Sequence, residues 1–219
     1  MENLKRKKLV NTGKYLADNQ LAWGTSGNIS VKENDEFMLI TASGTKLSNL
    51  VIDDFVRFNV YTGEKLGDRK ASKETPMHSG IYKNCKDVKA VLHSSPFYAT
   101  LFSCSNELNI MSELFVETMY YLEDVAYIDY YHPGSQELGE AVAEQSLNAN
   151  VIMMKNHGVM VFDESITEAL MRLETLEMAC KMIVESKKAG IQLTKISDNV
   201  VDDFLENSLY KPRKVIKRK

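Results

Sequence analysis

The chain has 219 residues, 44% of them hydrophobic and 9% aromatic, which is enough for one well-buried core and short for two independent domains. That content excludes disorder over most of the length, and no apolar run approaches the ~20 residues a membrane-spanning helix needs. The net charge of −3, from 27 basic and 30 acidic residues, gives no global pull toward nucleic acid or an anionic membrane.

In chain order, Met1 to Lys8 is charged and lacks the apolar stretch of a secretory signal, so a cytoplasmic protein is expected. Leu4, Leu9, Gly13, Leu16, Ala17 and Leu21 recur at helical spacing and predict an amphipathic first helix. Thr25-Ser26-Gly27-Asn28 breaks it, and the β-prone runs Ile29–Lys32 and Phe37–Thr41 flank a hairpin signal at Glu33-Asn34-Asp35. A third strand is expected over Phe55–Tyr61. Pro76 suits the first turn of a helix running to Tyr82. Ala90–His93 reads as a strand leading into a helix from Pro96, and Val125–Tyr130 as a strand closed by Pro133-Gly134. Ser135 then caps a helix carrying Leu138, Val142 and Leu147. Strands at Val151–Met154 and Val159–Phe162 bracket Asn156-His157-Gly158. A long helix from Ser165 to Ala189 stops at Gly190.

Hairpin-spaced strands with interspersed helices predict an α/β domain whose sheet is mostly antiparallel or mixed. No Gly-x-Gly-x-x-Gly follows a strand, which argues against a Rossmann domain. Without repeats or low-complexity linkers, residues 1–219 read as a single domain, its basic tail fraying from about residue 205. The basic clusters at Lys5-Arg6-Lys7-Lys8 and at Lys211, Arg213, Lys214, Lys217, Arg218 and Lys219 read as a solvated helical turn and that tail. Cys85, Cys104 and Cys180 are odd in number and widely spaced, and read as packed, reduced thiols.

Four histidines are available for chemistry. His93 ends an apolar strand and His157 sits in a tight turn between two strands, places where side chains converge on a rigid scaffold. For any one of them a hydrogen-bonded structural histidine is the commoner outcome, and His78 and His132 read that way. Glu74 is a candidate general acid/base, although a carboxylate just before Pro76 also suits a helix cap. Thr25-Ser26-Gly27-Asn28, Ser43-Gly44-Thr45-Lys46 and Ser72-Lys73 combine flexible backbone, hydroxyls and lysine as an anion site requires. Taken singly, each is a turn signal.

Taken together and in order, these segments resemble class II aldolases of the fuculose-1-phosphate type. The resemblance is carried by Thr25 to Ser30, Ile40 to Gly44, Ser72 to His78, Val91 to Thr100, Pro133 to Leu138 and Asn156 to Val159, and spans roughly residues 9 to 190. It implies a three-layer α/β/α sandwich around a largely antiparallel sheet, in a homotetramer with active sites between subunits. It further implies a divalent metal, zinc by family habit, held by His93, His157 and Glu74. Glu74 would also move the catalytic proton. Gly27, Asn28, Ser43, Gly44, Ser72 and Lys73 match substrate-phosphate positions, with Lys73 where serine is common. The implied reaction cleaves a small ketose 1-phosphate to dihydroxyacetone phosphate and an aldehyde, without nucleic-acid or membrane partners.

Related activities on the same fold include sugar-phosphate dehydratases, which keep a similar glutamate, and epimerases, which carry aspartate at the Glu74 position. Ser95 stands where the family has a second strand histidine on the metal. A hydroxyl is a poorer neutral zinc ligand than imidazole, so a harder ion such as manganese, or a metal-free adducin-like interaction module, follows as an alternative. Tyr210 lies near the place of a tyrosine that covers the site in fuculose-phosphate aldolases.

Overall fold

The computed structural model describes residues 2–212 and 218; Arg213, Lys214, Lys217 and Lys219 lie outside the described residues. The helices are α1 (Glu2–Asp18), α2 (Thr75–Asn84), α3 (Phe97–Ser103), α4 (Val116–Tyr121), α5 (Gln136–Gln145), α6 (Ile166–Ala189) and α7 (Asp198–Asn207). The strands are β1 (Asn28–Lys32), β2 (Phe37–Thr41), β3 (Phe55–Asn59), β4 (Lys65–Leu66), β5 (Ala90–Ser94), β6 (Val125–Ile128), β7 (Val151–Met154) and β8 (Gly158–Asp163). They form one eight-stranded sheet in the order β4-β3-β2-β1-β5-β8-β7-β6. β6 and β7 pair in parallel, and the other neighbours pair antiparallel.

Alternation along the strands divides the core in two. Ile29, Val31, Leu39, Leu92, Val151, Met153, Val159 and Val161 point to one face, where they pack with Leu9 and Leu16 of α1 and Leu173, Leu176 and Ala179 of α6. Met38, Ile40, Val91, Ile152, Met154, Met160 and Phe162 point to the other, against Met77, Ile81 and Tyr82 of α2 and Leu138 and Val142 of α5. With helices on both faces of a largely antiparallel sheet, the expected α/β/α sandwich is the fold.

Local chemistry sets the element ends. The Ser135 and Ser165 hydroxyls accept from the Leu138 and Glu168 amides at 3.1 Å and start α5 and α6, and Gly190 closes α6 in the left-handed region at φ 67°. β3 stops at Asn59, two residues short of the expected Tyr61. The Asn59 side-chain oxygen accepts from the amides of Tyr61 and Thr62 at 2.9 and 3.0 Å and turns the chain. β6 likewise ends at Ile128 rather than Tyr130. Cys85 and Cys180 are buried, but Cys104 is exposed, so it is not the packed thiol expected.

The N-terminal basic cluster ties α1 to the sheet: Lys5 Nζ donates to the carbonyls of Lys32 and Glu33 at 3.0 and 2.7 Å. Near the other end, Lys211 Nζ reaches Glu168 Oε1 at 3.1 Å and the Tyr121 hydroxyl at 2.5 Å, and Arg218 bonds Asn150 at 2.8 Å. Among the described residues no helix is long and apolar enough to cross a membrane.

Candidate active site

The two central strands set the first site residues. Asn28 opens β1 directly opposite His93 of β5. Gly27, just before it, has φ +86°, and a Cβ there would lie 2.8 Å from the His93 carbonyl oxygen. Only glycine lets the Thr25-Ser26-Gly27 turn pass so close to β5. His93 shares Val91's side of the strand, facing the α2 layer. Its Nδ1 lies 3.0 Å from the Val159 carbonyl. A carbonyl can only accept, so Nδ1 carries the proton and Nε2 keeps its lone pair. His157 comes from the β7–β8 turn, which Asn156 at φ 54° and Gly158 at φ 150° bend sharply.

Glu74 sits at the N-cap position of α2, but its side chain makes no capping bond, so the cap alternative falls. The carboxylate instead turns toward the sheet and is nearly buried. Its Oε2 lies 3.3 Å from His93 Nε2 and its Oε1 3.1 Å from His157 Nε2. The Asn28 amide donates to Oε2 at 2.6 Å. Burial alone would raise the Glu74 pKa. The His157 hydrogen bond, the attraction to His93 and His157 when these are protonated, and the Asn28 amide outweigh it and hold the carboxyl down at about 2. Burial pushes His93 below the usual imidazole value, with Glu74 opposing.

One anionic oxygen donor and two imidazole nitrogens therefore converge, with their ligand atoms all within 4.8 Å of one another. Because His93 is held by its other nitrogen with its lone pair facing the carboxylate, this donor set fits a divalent ion. Ser95, nearly buried, lines the same cavity as His93, and its Oγ lies 3.5 Å from the His157 carbonyl.

The candidate anion residues surround this point. Gly27, Ser43, Gly44, Ser72 and Lys73 line a cavity of about 360 Å³ that also contains Glu74, His93 and His157. Asn28 lines it too, but both ends of its amide are already bonded inside the protein, to Glu74 and His78. That side chain serves the carboxylate rather than an incoming phosphate. A larger cavity of about 570 Å³ beside α2 and α5 includes Ser72 but neither Glu74 nor any histidine. His132 is exposed beside Tyr130, and Tyr210 packs edge-on against Tyr120 away from the cavity.

His78 is the residue that sequence reasoning passed over. It is fully buried, bonded to both Asn28 and Ser30, and lies one helical turn behind Glu74. Its four-residue spacing from Glu74 and the polar alternation Asn28, Ser30, Lys32 in β1 were the available signals.

An α/β/α sandwich thus carries, in one cavity, a carboxylate and two imidazoles that could hold a metal ion. Residues 7–184 match the family described as Class II Aldolase and Adducin N-terminal domain. The chain is 30% identical over 211 residues to the 3-oxo-tetronate 4-phosphate decarboxylase of Haemophilus influenzae, covering 94% of this chain and 99% of that protein. It is 30% identical to the L-fuculose phosphate aldolase of Methanocaldococcus jannaschii, covering 81% of this chain and 94% of that one. The crystal structure of YgbL from Klebsiella pneumoniae superposes with a TM-score of 0.86 at 26% identity, covering 93% of this chain and 98% of that one. An L-fuculose 1-phosphate aldolase structure gives 0.80 at 26% identity, covering 90% and 92%. The chain belongs to the class II aldolase and adducin family, as an enzyme of the lyase class.

Proposed function

We propose that the chain is a cytoplasmic, divalent-metal-dependent aldolase, cleaving a small ketose 1-phosphate to dihydroxyacetone phosphate and an aldehyde. The observation that carries this reading is the meeting of Glu74, His93 and His157 at one end of a cavity whose other walls are Gly27, Ser43, Gly44, Ser72 and Lys73. Glu74, His93 and His157 would hold the ion, zinc or a harder cation such as manganese. When bound it would supply Lewis-acid stabilisation of enediolate charge.

The chain's own groups do the rest. Backbone at the glycine turns, the Ser43 and Ser72 hydroxyls and the Lys73 ammonium bind the phosphate, and that remote binding energy fixes the reacting carbon. Breaking the carbon–carbon bond releases the hydroxyl proton of the departing carbon and leaves the electron pair on the phosphate-bearing half. Glu74, a carboxylate at rest, takes up a proton from solvent and passes it to that carbon, which completes dihydroxyacetone phosphate. The His93 bond to Val159 and the Asn28 bond to Glu74 keep those groups from turning away. A homotetramer goes with this reading by family.

A second reading is favoured by one observation, the near full-length match to a 3-oxo-tetronate 4-phosphate decarboxylase. Loss of carbon dioxide from a 3-oxo acid 4-phosphate leaves the same enediolate, and the same protonation gives dihydroxyacetone phosphate. The two reactions differ at the departing carbon: an aldehyde leaves only if a hydroxyl proton is removed, whereas a carboxylate leaves with none. Supplying the metal-loaded protein with fuculose 1-phosphate and, separately, with 3-oxo-tetronate 4-phosphate separates them. Aldehyde release from the first supports the aldolase, and carbon dioxide from the second alone replaces it. Solvent deuterium entering dihydroxyacetone phosphate is expected under both, and its absence with every divalent ion tried rejects both.

A further inference from the structure

Behind Glu74 runs a buried file of polar side chains. The Tyr82 hydroxyl lies 3.0 Å from Ser30 Oγ, Ser30 Oγ 2.7 Å from His78 Nδ1, His78 Nε2 2.5 Å from Asn28 Oδ1, and Asn28 Nδ2 2.6 Å from Glu74 Oε2. Ser30 and His78 are fully buried, and Tyr82 and Asn28 nearly so. Glu74, His78 and Tyr82 are spaced four residues apart along one face of α2, while Asn28 and Ser30 share one face of β1. The file is where that helix face lies over that strand face.

Valence fixes every hydrogen in it. A carboxylate oxygen only accepts, so Asn28 must present its NH₂ to Glu74 and its carbonyl to His78. His78 must then carry its proton on Nε2, and as a neutral ring it accepts at Nδ1 from the Ser30 hydroxyl. Ser30, its proton given away, accepts from Tyr82. With the fully buried ring neutral, one arrangement satisfies all four bonds, and it runs in one direction, from Tyr82 to Glu74.

We propose that His78 is the positioning residue that sets Glu74: by donating to Asn28 Oδ1 it fixes which way the amide faces, and the amide in turn holds the carboxylate between His93 and His157. The inference rests on Glu74 as ion ligand and proton carrier. Without the His78 donor the amide is free to rotate by half a turn. Its oxygen then faces Glu74 Oε2, two acceptors meet, and the carboxylate loses the bond that keeps it in place.

The two conservative replacements of histidine separate positioning from packing. Glutamine places a donor near the Nε2 position and keeps the Asn28 bond, whereas asparagine places one near Nδ1 and reaches only Ser30. With His78→Gln, manganese affinity and deuterium exchange into dihydroxyacetone phosphate should stay within a few-fold of the wild type. With His78→Asn both should fall roughly 10–100-fold, the range for partners that orient metal ligands, with the loss in kcat rather than KM. Equal effects of the two variants would reduce His78 to a packed core residue and overturn the proposal.

A third measurement needs neither metal nor substrate. ¹⁵N NMR of the wild-type imidazoles should show His78 as a neutral ring protonated on Nε2. A ring protonated on Nδ1 refutes the file even if both variants fail to fold. Should no divalent ion or sugar phosphate engage the protein while that tautomer is seen, the functional reading fails and with it the positioning of Glu74 for catalysis, but not the hydrogen-bonded file.

Discussion

Both faces of the sheet are covered by helices, and they differ in chemistry over one half. Beneath α1, α3 and α6, Ile29, Leu39, Leu92, Val151 and Val161 meet Leu9, Leu16, Leu173 and Leu176 in an apolar layer. On the opposite face the β7–β8 half is just as apolar, with Ile152, Met154, Met160 and Phe162 against Leu138 and Val142. The β1–β5 half instead carries Asn28, Ser30 and His93 under Glu74, His78 and Tyr82. Buried polar groups cost several kcal/mol when unpaired and little when their bonds are complete. One face can therefore be read as where stability is made. The polar half of the other is held in place by its hydrogen bonds, and its geometry is what the proposed chemistry needs.

The sharpest way to break that comparison is at Glu74. Its removal as a proton carrier by Glu74→Gln should reduce deuterium exchange into dihydroxyacetone phosphate by roughly 10²–10⁴-fold, with the melting temperature moving only a few degrees. A large loss of stability with exchange retained would give Glu74 a structural role instead. On the apolar face, Leu176→Ala should do the reverse. The side chain is fully buried, and its truncation should cost about 2–5 kcal/mol in urea unfolding while the folded fraction binds manganese as before. Weakened ion binding at full folding would mean that the two faces are coupled.

How much is legible in the sequence depends on which face a residue serves. The strands β1, β2, β5, β7 and β8 and the helices α1, α5 and α6 follow from period-2 and period-3.6 patterns with recognisable caps. The two-residue β4 and six-residue α4 do not, because segments that short carry no usable period and packing decides them. The ten-residue α7, with Val201, Phe204 and Leu205 at helical spacing behind Ser197, does carry such a pattern and is missing from the expected elements. In the site, Glu74, His93 and His157 stand in segments with the family's order, and the fold brings all three together. What the sequence hides is polarity facing inward. Asn28, Ser30 and Lys32 alternate with Ile29 and Val31 as a half-exposed strand would, but α2 covers that side. The resemblance therefore offers Asn28 as a phosphate contact and the helix pattern offers His78 as an ordinary structural histidine, because nothing in the pattern shows that this side of β1 is covered.

The polar half should also respond to acid where the apolar face does not. Burial, with the nearby charge of His93 adding and that of Glu74 opposing, lowers the His78 pKa to about 3. Between that value and the ordinary imidazole value of 6.5, the unfolded chain takes up a proton that the folded protein refuses. Stability contributed by His78 is thus complete above about pH 6.5 and is lost as the pH falls through the window, with a slope approaching about 1.4 kcal/mol per pH unit. Glu74, depressed from 4.5 to about 2, adds a loss of the same sign further down. Urea midpoints measured from pH 7 to pH 5 should therefore fall less steeply in His78→Gln than in the wild type. Parallel curves would mean that His78 titrates in the folded protein.

Ser95 gives the finest test, because there the site departs from the family's pattern while keeping its place in the fold. It follows β5 two residues after His93 and lines the same cavity, as the alternation of side chains requires. Its hydroxyl reaches no further than the His157 carbonyl, at 3.5 Å, so among the described residues the three ligand atoms of Glu74, His93 and His157 have no fourth protein donor of the histidine kind beside them. Fewer imidazoles and relatively more oxygen favour harder ions and weaker zinc binding. The prediction is a metal that dialyses away readily from the native protein, and a Ser95→His variant that binds zinc roughly tenfold more tightly, about 1.4 kcal/mol, at fixed pH. Gly158 sets the limit on that variant, since a Cβ added there would already lie 2.9 Å from Ser95 Oγ, and the larger ring has to rotate toward the cavity to fit. Parallel zinc titrations of the two forms decide it: native zinc affinity equal to that of the variant would mean that another side chain completes the ligand set and that Ser95 is not where it is broken.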